Sequence, residues 1–249
     1  MGRQGVTVTF AGSGDAFGSG GRYQACIHLR GDGQEPVLMD CGATSLSALR
    51  SLDLDPGEIA AVFVSHLHGD HFGGLPFLIL DGQFSGRTRP LAVAGPAGTG
   101  RRLTEAMECL FPGSSTVARR FAVPTVELTP GRPATVAGVQ VTGWEVDHPS
   151  GAPALALRLD LGGRVIAYTG DTAWTDALLR AADGAHLLIA EAYRMDKNVP
   201  HHLRHADLAS HRHLLTSDRV VLTHMGAEVL SREAELTFEA AHDGLVLDV

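Results

Sequence analysis

The sequence predicts an α/β chain in which two β-sheets are sandwiched between helices, and three observations carry that expectation. Of its 249 residues 44% are hydrophobic and 19% charged, a globular composition able to build a sizeable core. The predicted elements follow a repeating order, mostly strands and then helices interleaved with strands, twice over. No linker, low-complexity run or charge block interrupts them, so residues 1–249 read as one domain.

Residues 6–10 alternate apolar with polar and predict a half-buried strand. A glycine-rich loop over 12–22 leads to strands at 23–29 and 37–40, and 45–51 predicts a short helix. The run AAVFVS at 60–65 is a continuous apolar strand bounded by turn signals. A helix is expected from near Asp70 past Pro76 toward Gln83, followed by a strand at 91–94 and an amphipathic helix at 98–110. The segment 112–133 is loop-rich, with a short strand at 125–128. Strands at 135–144, 154–161 and 164–168 follow, the last two joined through Gly162 and Gly163, a hairpin signal. Alternation then closes the chain: helix 175–181, strand 186–191, helix 202–215, strand 219–223, helix 231–241 and strand 245–249.

The net charge of −8 and the lack of a Lys/Arg block argue against tight nonspecific binding to nucleic acid or to an anionic membrane. A local basic pocket stays open. The three cysteines, Cys26, Cys41 and Cys109, are odd in number and form no CxxC pair, so no disulfide scaffold is indicated. The N-terminal MGRQGVTVTFAGSG has no apolar leader core, and the apolar stretch 72–80 is too short and too interrupted to span a bilayer. These features point to a reduced, cytoplasmic protein without a membrane partner.

Thirteen histidines and 30 glycines are in surplus, and several lie together. The segment SHLHGDHFGG places His66, His68, Asp70 and His71 within six positions at the end of a buried strand. In extended chain His66 and His68 point to one side. A turn through Gly69 lets Asp70 and His71 face a second centre. Imidazoles and a carboxylate at this density suit zinc, or manganese and iron, better than calcium or magnesium. A polar loop of hydrogen-bonded histidines is the plainer alternative. Four such groups cannot complete two metal sites, and three more candidates stand just past predicted strands: His148 in EVDHPSG, Asp171 in YTGDT and His224 in LTHMG. A lone histidine or aspartate in such a place is usually structural; joined to the cluster, all three become ligand candidates.

Taken in order, these residues resemble the metallo-β-lactamase superfamily, whose pattern is HxHxDH, a distant His, a bridging Asp and a final His. The match extends from the first strand to LTHMG. The resemblance implies a four-layer αβ/βα sandwich with the site at one edge of two sheets. It also implies two divalent ions, zinc foremost with manganese or iron as alternatives. His66, His68 and His148 would hold the first and Asp70, His71 and His224 the second, with Asp171 bridging. Asp40, in DCG, would orient a ligand from behind. A hydroxide between two such ions, its pKa near ~7 in the zinc model, would attack a carbonyl or phosphoryl centre, and Asp70 would help orient it.

Aspartate at 171, where true β-lactamases usually carry cysteine, argues against antibiotic hydrolysis. The C-terminal third is similar to ribonuclease Z and its small phosphodiesterase relatives. His202, twenty-two positions upstream of His224, stands where that branch has a histidine that contacts phosphate and protonates the leaving oxygen. The Ser and Thr of that motif are Leu203 and Arg204 here, so a solvated helix histidine is the competing reading. The loop AGSGDAFGSGGR also resembles these enzymes. Ser13, Gly14 and Arg22 would meet a substrate anion, against the alternative of an ordinary connecting loop. Only 23 positions separate His148 from Asp171, too few for the tRNA-gripping arm of ribonuclease Z. The expected substrate is a small phosphodiester, cyclic or nucleotide-like. A lactonase or thioesterase on the same metals is the alternative, and an iron-based redox or sensing protein a more distant one. The resemblance also allows a homodimer.

Overall fold

Two mixed sheets pack face to face, each carrying its helices on the outer side. The computed structural model describes residues 5–249, so the first four residues of the stretch read for a leader lie outside it. The first half supplies β1 (Val6–Gly12), β2 (Cys26–Gly31), β3 (Val37–Met39), β4 (Ala61–Phe63), β5 (Ala92–Gly95) and β6 (Thr125–Glu127). The second supplies β7 (Ala134–Val136), β8 (Val139–Val146), β9 (Ala154–Leu161), β10 (Arg164–Tyr168), β11 (Leu187–Glu191), β12 (Val220–Thr223) and β13 (Glu239–Ala240). A last strand, β14 (Val246–Asp248), returns to pair with β1, so the sheet orders are β14-β1-β2-β3-β4-β5-β6 and β13-β12-β11-β10-β9-β8-β7.

Each sheet begins antiparallel and finishes parallel. Parallel neighbours need crossovers, and helices supply them. On the first sheet these are α1 (Ser45–Ser51), α2 (Gly69–Phe72), α3 (Leu75–Phe84) and α4 (Thr99–Leu110); on the second they are α5 (Ala177–Ala182), α6 (His205–His211) and α7 (Ala227–Ser231). Strand alternation then sorts the core into three layers. Val8, Phe10, Ile27 and Leu29 meet Leu155, Leu157 and Ile189 between the sheets, whereas Leu38, Val62 and Val93 face the first helix layer and Ala156, Leu188 and Leu222 the second. Among the described residues no helix is long and apolar enough to cross a membrane, and all three cysteines are unpaired.

Three expected elements differ. The helix anticipated from Asp70 to Gln83 is two, broken at Gly73-Gly74. A Cβ on Gly74 would stand 2.2 Å from the Gly42 carbonyl oxygen, so the chain must bend there to lie on the β3–α1 loop. The strand expected over 135–144 is a hairpin, turned at Ala137 (φ 50°) and Gly138 (φ 79°). The helix expected at 231–241 is replaced by α7, a 3-10 turn at Glu233–Glu235 and β13. There, parallel pairing of Val221 with Glu239 and burial of Phe238 override a strongly helical composition.

Candidate metal centre

The ends of β3, β4, β8, β10, β11 and β12 converge on one edge of the sandwich, and each delivers one part of the site. Beyond β4 the chain stays extended through His66 to His68 and then turns into α2, which carries Asp70 and His71 in its single turn. His148 follows β8, Asp171 follows β10 and His224 follows β12. The donor atoms of His66, His68 and His148 form one cluster and those of Asp70, His71, Asp171 and His224 a second.

Donor spacing tests the fit. Four ligands held tetrahedrally about 2.1 Å from a zinc-sized ion lie about 3.4 Å from one another. In the second cluster Asp70 Oδ2 is 3.3 Å from His71 Nε2 and 3.2 Å from His224 Nε2, and the two Nε2 atoms are 3.3 Å apart. Asp171 divides its oxygens, Oδ1 at 3.3 Å from His71 Nε2 and Oδ2 at 3.4 Å from His224 Nε2. In the first cluster His148 Nε2 and His68 Nδ1 are 3.0 Å apart, and His66 Nε2 is buried without a hydrogen-bond partner.

Hydrogen bonds on the far side of the rings set which nitrogen is bare. Asp40 Oδ2 accepts from His71 Nδ1 at 2.6 Å and from Ser65 Oγ at 2.7 Å, while its Oδ1 accepts from Ser65 N at 2.7 Å. Because Ser65 Oγ donates to Asp40, it accepts from His66 Nδ1 at 3.1 Å. His148 Nδ1 donates to the His201 carbonyl at 2.9 Å. In His66, His71 and His148 the proton is thereby placed on Nδ1, leaving Nε2 free to ligate. Asp40 (φ 59°) and His224 (φ 53°) adopt left-handed backbone, which costs non-glycine residues about 1–3 kcal/mol.

The two clusters differ electrostatically. Burial, followed by neighbouring imidazoles, pushes His66 and His68 down, which keeps them neutral and ready to ligate. In the second cluster burial opposes every charge, yet His71 and His224 hold the carboxyls of Asp70 and Asp171 well below the usual range. Against the same burial these carboxylates lift His71 well up and His224 to about 10. Such a cluster is organised around positive charge, and a divalent ion supplies that charge while leaving the imidazoles neutral.

Glu191, which sequence reasoning missed, closes β11 fully buried. Its Oε2 accepts from Thr172 N at 2.9 Å and Leu203 N at 3.2 Å, and its Oε1 accepts a short bond from His202 Nδ1. Burial works against the charged His202 ring, but this bond outweighs it and raises the pKa. His202 lies in the turn before α6, half-buried, and is not a solvated helix histidine. The readable signal for Glu191 was a carboxylate ending the apolar run LLIA. Of the opening loop, Ala16 and Phe17 line the cavity beside His68, Asp70, His148, Asp171, Tyr193, Val199, His202 and His224. Ser13, Gly14 and Arg22, expected to meet a substrate anion, are not among the residues lining this cavity and bond to protein groups instead. The Ser13 carbonyl accepts from His224 N at 3.0 Å, and its hydroxyl donates to Asp243 at 2.8 Å. Gly14 N donates to the Tyr23 carbonyl at 2.7 Å, and Arg22 reaches the Ala241 carbonyl at 2.5 Å.

The family model for the anti-Pycsar protein Apyc1 matches residues 6–240. Ribonuclease Z of Methanosarcina acetivorans is 27% identical over 239 residues, covering 77% of this chain and 76% of that relative. Ribonuclease Z of Methanococcus maripaludis strain C6 is 41% identical over 98 residues, which are 39% of this chain and 32% of that one. Among solved structures, the metallo-β-lactamase-fold protein YhfI of Bacillus subtilis superposes with a TM-score of 0.80 at 19% identity, covering 99% of this chain and 100% of that one. The short form of human tRNase Z gives a TM-score of 0.77 at 26% identity, over 97% and 98% of the two chains. The fold is that of the metallo-β-lactamases.

Proposed function

This chain belongs to the family of the anti-Pycsar protein Apyc1, and on that premise we propose that this metal-dependent hydrolase cleaves a small phosphodiester, cyclic or nucleotide-like, at a two-ion centre. The observation that carries the reading is the juxtaposition of two donor clusters with the Glu191–His202 pair around one cavity of about 280 Å³, which His68, Asp70, His148, Asp171, His202 and His224 line directly. That volume suits a small ligand. The 22 residues between His148 and Asp171 are spent on a short loop and the β9–β10 hairpin, which leaves no arm for gripping tRNA.

Divalent ions bound there, with zinc the best match to the donor set, would supply Lewis acidity toward the phosphoryl group and activate water at neutral pH. The remaining work falls to the protein. Asp70 Oδ2, fixed by His224 and His71, orients the attacking water. His202, its Nδ1 held by Glu191, gives its Nε2 proton to the departing oxygen. Ser13, Gly14 and Arg22 brace the loop whose Ala16 and Phe17 line the cavity beside the metal-ligand candidates.

Hydrolysis of bis(p-nitrophenyl) phosphate by metal-reconstituted protein, beside Asp171→Ala, tests the reading. The expected result is turnover that requires added zinc or manganese and vanishes in the variant. No turnover with any metal, from folded protein holding two ions, would overturn it and favour lactones or thioesters.

A further inference from the structure

We propose that Phe17 is the specificity-determining residue of this site, offering a free aromatic face on which a flat ring of the substrate, a nucleobase, stacks while its phosphate lies on the metal ligands. The inference rests on the phosphodiesterase reading and adds to it the part of the substrate remote from phosphorus.

Phe17 lines the cavity together with His68, Asp70 and His202, yet is 83% exposed. A large apolar ring in water at the mouth of a polar site contributes nothing to the core. Nor does the loop leave it there by looseness. Asp15 is buried, and its Oδ1 accepts from Phe17 N at 3.2 Å and Ser19 N at 2.9 Å, while its Oδ2 accepts from Ser19 Oγ at 2.7 Å. Gln24 Nε2 ties down the Ala16 carbonyl at 3.1 Å. A Cβ on Gly20 would meet Leu230 at 2.9 Å, so the loop also lies tightly on α7. The backbone under Phe17 is therefore held before any ligand arrives, which lowers the ordering cost of binding.

The other rings of the cavity are engaged. Tyr193 packs on His202 with centroids 4.9 Å apart, and the Arg194 guanidinium lies 5.0 Å from its centroid. His68 and His148 meet edge to face at 4.9 Å, and His224 faces His71 at 5.1 Å. Among the described residues no ring contact involves Phe17. It is the one cavity aromatic with its faces free, and base–aromatic stacking needs such a face.

The test is calorimetric titration of zinc-loaded protein with uridine 5′-monophosphate, adenosine 5′-monophosphate and ribose 5-phosphate, which share a sugar phosphate and differ in the base. Wild type should bind both nucleotides about tenfold more tightly than ribose 5-phosphate, as expected for one stacked base. In Phe17→Ala that ratio should fall to about twofold or less, and Phe17→Trp should restore it. Equal binding of all three ligands by wild type, or an unchanged ratio in Phe17→Ala, would overturn the proposal. Because binding is read without turnover, a protein that discriminates through Phe17 yet cleaves no phosphodiester would sink the phosphodiesterase reading alone.

Discussion

Asp40 shows at the residue scale how much of a metal centre lies behind the ligands. Its carboxylate accepts from His71 and from both the amide and hydroxyl of Ser65, and that hydroxyl in turn orients His66, so one strained residue aligns a ligand of each cluster. Asp40→Asn keeps the shape but replaces one acceptor oxygen with a donor. It should weaken metal binding about 10–100-fold, read by competition against a chromophoric chelator. Unchanged affinity would show that the ligands orient themselves. The Glu191–His202 pair makes a different prediction. If His202 protonates the leaving oxygen, His202→Ala and Glu191→Gln should lower kcat about 10²–10⁴-fold for an alkyl phosphodiester. The p-nitrophenyl ester, whose leaving group needs no proton, should be largely spared. Equal loss on both substrates would assign the pair to holding the site together. His202 was legible only through its distance from His224. Glu191 carried a weaker mark, because its partners lie 11, 12 and 19 positions away and meet it only in the fold.

At the scale of elements, period-two alternation explains both what was read correctly and a buried liability in β2. Ile27 and Leu29 face the opposite sheet, which turns Cys26 and His28 toward the helix layer. Burial, with a smaller contribution from Arg30, pushes the His28 imidazole down to about 4. The unfolded chain takes up this proton near pH 6.5 and the folded chain only near pH 4. The contribution to stability is therefore complete above pH 6.5, declines as pH falls from there toward 4, and changes no further below. His28→Leu should flatten that decline by up to about 3 kcal/mol, measured as the difference between variant and wild type in urea unfolding at pH 7 and pH 4.5. Parallel acid sensitivity in both proteins would refute it. The failed expectation at 231–241 belongs to the same scale: the segment's residues favour helix, but β13 completes the ladder on β12 and buries Phe238. A strand whose partner lies about twenty residues away leaves no local periodic mark.

For the whole molecule, the candidate metal centre also joins the two halves. His66, His68, Asp70 and His71 come from the first sheet's half, and His148, Asp171 and His224 from the second's. Ions held by both would bind only the assembled sandwich. At a hundredfold excess over Kd, each site would add about 2.7 kcal/mol. For a chain of this size each kcal/mol moves Tm by about 2–4 °C, so chelation should lower Tm by about 10–20 °C, and zinc should restore it. A Tm indifferent to chelator would mean that the two halves are held by the inter-sheet core alone.

By itself the sequence determined the strand-rich order and the histidine-rich segment, and it marked seven candidate donor positions. Those features are local: apolar runs end at strand edges, and HxHxDH compresses four donors into six positions at one of them. Tertiary structure alone decided which nitrogen each ring turns inward, that Glu191 stands behind His202, and that Phe17 stands free beside them. Each of these depends on contacts between chain segments far apart in sequence. Their geometry is set by how two sheets pack, and no spacing along the chain encodes it.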